Sequence, residues 1–205
     1  KTNATTPTAA SSSSSFTGKN GTLAKLQAPC EKLLRGLLER LGSAASHGGF
    51  TLTPAVYAAV ADCLELVYRY GSQRTLLESM AKWEQSLLDK QTTPAARAAM
   101  FHCAEALFVA QGRRLGSYLG TFVACAAKQF KLVRGAAHGN DACAANVRAA
   151  GIRCVGRAVH ATGSAGLSEH VAILKLCKTG CQDKSAVVRE VVAGLLLALG
   201  QSAAE

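Results

Sequence analysis

From about Leu23 to the C-terminus, apolar residues recur at the three-to-four-residue spacing of amphipathic helices. The pattern is interrupted at Gly42 to Thr53, Gly71-Ser72, Gln91 to Thr93, Gly112 to Arg114, Gly135 to Asp141, Gly163 to Gly166 and Gly180 to Asp183, and these seven breaks predict eight helices. Thr53-Pro54 and Thr93-Pro94 read as an N-cap followed by proline at the first helical position, where the missing N–H costs nothing. Glycines at the far ends supply the left-handed stop. Ahead of Leu23, the stretch KTNATTPTAASSSSSFTGKNG has Phe16 as its single large apolar residue. It buries too little to repay the entropy of ordering, so residues 1–21 are expected to be a flexible tail or linker and 22–205 one helical domain.

Setting alternate helices beneath one another exposes a repeat. Thr53 to Gly71, Thr93 to Gly112 and Ala145 to Gly163 share small residues early, a cysteine at one depth and a terminal glycine. Asp183 to Gly200 is read as a fourth copy. Cys63, Cys103, Cys154 and Gly194 are taken to correspond, at spacings of 40, 51 and 40, while Arg97, Arg148 and Arg189 keep spacings of 51 and 41. The extra residues of the third unit fall in the loop RGAAHGNDACA. The expected architecture is all-α, an α-solenoid of about four antiparallel helical hairpins, because such units bury their apolar faces only against one another.

A period of about 40 with two helices per unit resembles HEAT and armadillo arrays. The last unit is the most HEAT-like, with Asp183 six residues before Arg189 in a D-x-x-x-x-V-R pattern. That resemblance implies an acid–arginine ladder between neighbouring repeats, assigned to Asp183, Arg148 and Arg189. Elsewhere the pattern is partial: Asp141 stands one residue out of place before Val147-Arg148, and Arg97 has no acid at the matching position. LVYRYGSQRTLLESMAKWEQSLLDK, the GRRLGS of Gly112 to Ser117, and DKSAVVREVVAGLLLAL further resemble the N-terminal solenoid of the HEAT-repeat-containing protein 5 family, over about two thirds of the chain. This implies a non-catalytic scaffold without cofactors, cytoplasmic and peripheral at endosome or trans-Golgi membranes. Its partners would be clathrin-adaptor subunits or acidic peptide motifs.

Composition fits that picture. Hydrophobic residues make up 49% of the 205 and aromatics only 5%, which favours helices packed through small side chains over a β-sandwich. Eight cysteines inside apolar stretches, with no signal-like segment before them, read as reduced thiols in the cytosol. The longest uncharged apolar run, Val191 to Leu199, falls short of the roughly 20 residues that cross a bilayer, so no span is expected. The chain has no initiating Met and the last helix is apolar on more than one face, so truncation at the C-terminal end is expected, with a further repeat or a second copy covering that helix.

No catalytic constellation emerges. His102 and Cys103 are adjacent and point about 100° apart on a helix, which denies them a nucleophile–base geometry. Cys177 and Cys181, with His170 upstream, have no second pair at metal-binding spacing. GRRLG lacks the Lys-Ser/Thr of a phosphate loop, Glu65, Glu105 and Glu190 read as solvated or ladder positions, and Trp83 and Tyr118 read as core ahead of interface anchors. Charge is more informative. Arg113, Arg114, Lys128, Lys131, Arg134, Arg148, Arg153 and Arg157 face the single acid Asp141 between 113 and 157, and that segment carries +7 of the formal +10. Apart from the ladder residue Arg148, these cations are the candidate partner-binding patch, suited to acidic partners. The competing reading is an RNA- or ribosome-associated repeat protein. Phe122 and Phe130 lie within an apolar helix, so no aromatic platform interleaves the cations, and nucleic acid is the weaker reading.

Overall fold

The computed structural model describes residues 73–132 and 142–204, together with isolated helical positions at Lys32, Ala59, Asp62 and Cys63. The segment 1–21, the first hairpin, Arg134 and Asp141 fall outside the described residues, apart from those isolated positions. Among the described residues the class is all-α, with no strand. Six α-helices succeed one another there: α1 Gln73–Leu88, α2 Pro94–Gln111, α3 Leu119–Leu132, α4 Ala142–Thr162, α5 His170–Cys181 and α6 Ala186–Ala204. Two 3₁₀ segments, Gly112–Tyr118 and Gly163–Glu169, join α2 to α3 and α4 to α5.

Local chemistry sets these limits. Thr93, in extended conformation, caps α2 by accepting from the Ala96 N–H at 3.3 Å, and Pro94 opens the helix. Gly112 and Gly163 both have positive φ, 52° and 58°, and stand 51 residues apart, so the same left-handed stop ends α2 and α4. Each stop leads into a 3₁₀ turn of seven residues, where the sequence predicted only breaks of three or four. GRRLGSY and GSAGLSE share little beyond the leading glycine, and that hides the equivalence from a residue-by-residue reading.

The helices form two layers, α1, α3 and α5 in one and α2, α4 and α6 in the other. α4 sits between α2 and α6 and packs most extensively against those two, while α3 backs onto α4 and α5 onto α6. The core fills the space between the layers, from Met80, Trp83 and Leu87 through Phe101, Phe108 and Phe122 to Ile152, Ile173, Val188 and Leu195. Phe108 and Phe122 meet edge to face at 5.5 Å. Gly151 lets α4 close on its neighbours: a Cβ there would stand 3.2 Å from the Ala126 Cβ and 3.3 Å from the Phe101 ring.

One turn geometry occurs twice. Before α2 the Asp89 carboxylate accepts from the Gln91 N–H at 3.0 Å, and the Asp89 carbonyl accepts from Arg97 at 2.7 Å. Before α6 the Asp183 carboxylate accepts from the Ser185 N–H at 2.9 Å, and the Asp183 carbonyl accepts from Arg189 at 2.8 Å. Each aspartate folds its own turn as an Asx motif, and an arginine at the fourth position of the next helix clamps the carbonyl. Both turns begin Asp-Lys, but the first is two residues longer, so Arg97 is matched by an acid eight residues back instead of six.

Gly194 does not occupy the depth of the cysteines. Following the arginine spacing of 41, Cys154 corresponds to Leu195, and both are fully buried while Gly194 lies open. α6 buries one stripe, Val188, Val192, Leu195, Ala198 and Ser202, and exposes Val187, Leu196 and Leu197. By length and composition alone α6 is long and apolar enough to cross a membrane, a property that the run from Val191 to Leu199 does not show by itself. That shorter stretch misses the alanines, valines and glycine on either side of it, which extend the apolar helix to 19 residues around the Arg189-Glu190 pair.

Candidate binding surface

The six candidate cations among the described residues do not share a face. Arg113 and Arg114 are exposed on the first 3₁₀ segment, Lys128 and Lys131 on α3, and Arg153 and Arg157 on α4; Arg134 is outside the described residues. α3 and α4 meet where Ala126 faces Gly151. At about 100° per residue, Arg153 and Arg157 lie about 200° and 240° round α4 from Gly151, and Lys128 and Lys131 about 200° and 140° round α3 from Ala126. The two pairs therefore project from opposite outer faces of the two-layer stack. A count along the chain adds together charges that the fold separates, so among the described residues the cations of the expected patch fall into three pairs, on the first 3₁₀ segment, on α3 and on α4.

The arginines assigned to a ladder separate as well. Arg148 reaches from α4 to the turn before α6 and donates through Nε and Nη2 to the Asp183 carboxylate at 2.7 and 3.1 Å, a forked pair with side chains only 9% and 7% exposed. Its guanidinium also lies 5.9 Å from the Phe130 ring centroid. Arg189 instead donates to the carbonyls of Asp183 and Lys184. Arg97, buried, does the same at its own turn; burial lowers its pKa and Asp89 opposes that shift. In the other layer the buried Gln129 donates to the Leu87 carbonyl at 2.9 Å and closes the end of α1. Sequence reading missed Asp89 and Gln129, although the repeated Asp-Lys before both turns was a usable signal.

Between α4 and α6 runs an open groove of about 480 Å³. Arg153, Arg157 and His160 line it from α4, and Glu190, Val191, Gly194 and Leu197 from α6, over a floor that includes Ile152, Gly156 and Leu195. A Cβ on Gly194 would meet nothing within 4 Å. Arg157, 62% exposed, stands 3.5 Å from Glu105 of α2, whereas Arg153 has no carboxylate partner among the described residues.

Reactive chemistry is not favoured at the four buried thiols. Burial pushes Cys103 up to about 12 and raises Cys154 strongly, with Glu105 and the neighbouring thiols adding to it. Cys125 and Cys177 each rise to about 11, again first through burial. Such thiols stay protonated and behave as small apolar groups. His102 lies 3.6 Å from Glu105, turned toward a carboxylate on its own helix. Cys177 is buried and Cys181 exposed. Among the described residues no cluster of three or more His, Cys, Asp or Glu side chains is placed to hold a metal ion. Trp83 is buried in the core and Tyr118 is half-buried. The chain matches no protein-family model, no curated protein and no solved structure.

Proposed function

We propose that the chain is a section of a HEAT-type α-solenoid and acts as a non-catalytic scaffold, holding a preformed surface to protein partners. The observation that carries the reading is the neighbour-only stacking of like helices, α2 on α4 on α6, with the same aspartate–arginine clamp at the turns before α2 and α6, and Arg148 of α4 tied to Asp183. A surface built this way is rigid before a partner arrives, so little ordering entropy opposes binding. The role implied by the resemblance is clathrin-adaptor-linked traffic between endosomes and the trans-Golgi, with the protein in the cytoplasm and at membranes only through its partners. Proximity labelling and affinity capture with the tagged chain in cells test this: adaptor subunits and vesicle proteins support it. Recovery of ribosomal and RNA-processing proteins in their place would establish the competing RNA-associated role of the basic surface.

A further inference from the structure

We infer that the groove between α4 and α6 is a docking site for a short acidic segment of a partner protein, with aliphatic or aromatic side chains on its floor and carboxylates against Arg153 and Arg157. The inference rests on the scaffold reading and assigns it a site. At about 480 Å³ the groove lies within the range of roughly 300–1,000 Å³ typical of binding clefts, and its walls are two well-packed helices, so it exists before anything binds.

Its chemistry is that of a peptide site. Ile152 and Leu195 supply an apolar floor, Val191 and Leu197 add apolar surface on the α6 wall, and Gly194 leaves room for a side chain from outside. Arg153 and Arg157 are one helical turn apart on the α4 rim, about 6 Å along the axis, a separation that neighbouring same-side carboxylates of a helical or extended ligand also span. Arg153 has no carboxylate partner among the described residues, and Arg157, itself 62% exposed, stands 3.5 Å from a half-buried Glu105, so both guanidinium groups face the groove's solvent side. Among the described residues Glu190 is the single acid along the groove, and the chain's net charge of +10 draws acidic partners toward it. RNA is disfavoured because no Phe, Tyr or Trp among the described residues lines the groove as a platform for stacked bases.

The test uses the full 205-residue chain and short fluorescein-labelled peptides in which leucines alternate with aspartates and glutamates, followed by fluorescence anisotropy across salt concentrations. Binding that weakens with salt is expected, together with at least a roughly tenfold loss for Arg153→Glu with Arg157→Glu. Gly194→Leu fills the open space and is expected to abolish binding while keeping or raising Tm, since leucine is the better helix former. Lys128→Glu with Lys131→Glu, on the opposite face, should leave binding unchanged. No binding by the wild-type chain, equal binding of peptides with lysine in place of the acids, stronger binding of oligouridine RNA, or undiminished binding by Gly194→Leu each overturns the assignment. Capture in cells separates this from the wider reading: partners retained by Gly194→Leu remove the groove but leave the scaffold, and a wild-type chain that captures no trafficking protein removes the scaffold role itself.

Discussion

Asp183→Ala should be the most damaging single substitution at the α4–α6 junction. The carboxylate takes two hydrogen bonds from Arg148, at 2.7 and 3.1 Å, and one from the Ser185 N–H at 2.9 Å. Truncation leaves the Arg148 guanidinium buried beside Phe130 without its counter-charge. Stranding a buried charge costs about 3–5 kcal/mol, whereas exposed pairs cost below about 1 kcal/mol. At roughly 2–4 °C per kcal/mol for a chain of this size, Tm should fall by roughly 6–20 °C. Stability in a stacked array is a sum of unit and interface contributions, so the loss should be local: hydrogen exchange should show α5 and α6 opening early while α2 and α3 keep their protection. Urea unfolding of Asp183→Ala, Arg148→Met and the double variant completes the cycle, and the double variant should cost clearly less than the two singles together, because no unpaired charge remains. A single variant within about 0.5 kcal/mol of wild type, or strict additivity, would refute the assignment of this pair as the tie between units.

Two glycines on facing helices should respond oppositely to alanine. At Gly180 a Cβ meets the Val192 Cγ2 at 2.5 Å and the Ile152 Cδ1 at 3.1 Å, so Gly180→Ala should cost about 1–3 kcal/mol in denaturant melts, whereas at the open Gly194 alanine should gain up to about 1 kcal/mol through helix propensity. Alanine at Gly112, with φ 52° and the Ala161 carbonyl 3.2 Å from the added Cβ, should destabilise by about 1–2 kcal/mol, seen as a lower Tm. Thiol labelling of the native chain at mildly alkaline pH should proceed at the exposed Cys143 and Cys181 and reach Cys103, Cys125, Cys154 and Cys177 only on unfolding. The last four thiols are raised from 9.0, Cys103 to about 12, so between those values the folded chain holds more protons than the unfolded one. Their contribution is therefore complete below pH 9 and lost as pH rises toward 12, which melts across that window should register as a falling Tm.

Helix limits were legible where a single residue type dictates backbone geometry. Thr93-Pro94 and the glycines at 112 and 163 act as their chemistry requires, and the 51-residue spacing from Arg97 to Arg148 is reproduced in burial and in the positive-φ stops. The ladder was legible in its members but not in its wiring, since a D-x-x-x-x-V-R pattern does not say whether arginine reaches the carboxylate or the carbonyl. Arg189 is held to backbone carbonyls of its own turn, which frees the Asp183 carboxylate for the previous unit's Arg148. The basic patch was misread because charge density along the chain ignores the direction in which each helix faces. A helical-wheel count from Gly151 and Ala126 separates the sets, but choosing those two as the contact line requires the packing.

On the proposed solenoid reading, the position of the groove follows from the repeat. Carrying the offsets of 51 and 41 along the outer ridge, His102, Arg153 and Gly194 are equivalent, each one residue before a buried core position. Across the α2–α4 seam, Glu105 meets Arg157 at 3.5 Å and bridges the two helices. The same two positions across the α4–α6 seam are Gly156 and Ala198, which have no side chain long enough to meet. One seam is therefore spanned by a charged pair and the next left open at the equivalent point, with Gly194 widening it. The Arg148–Asp183 pair at the start of the same two helices and the close approach of Gly156 to Leu195, 3.5 Å from an added Cβ to its Cα, keep the open seam from collapsing inward. On that reading, a unit with the same buried contacts but two small residues where its neighbour carries a surface bridge leaves its seam accessible while the stacking that supports it is kept.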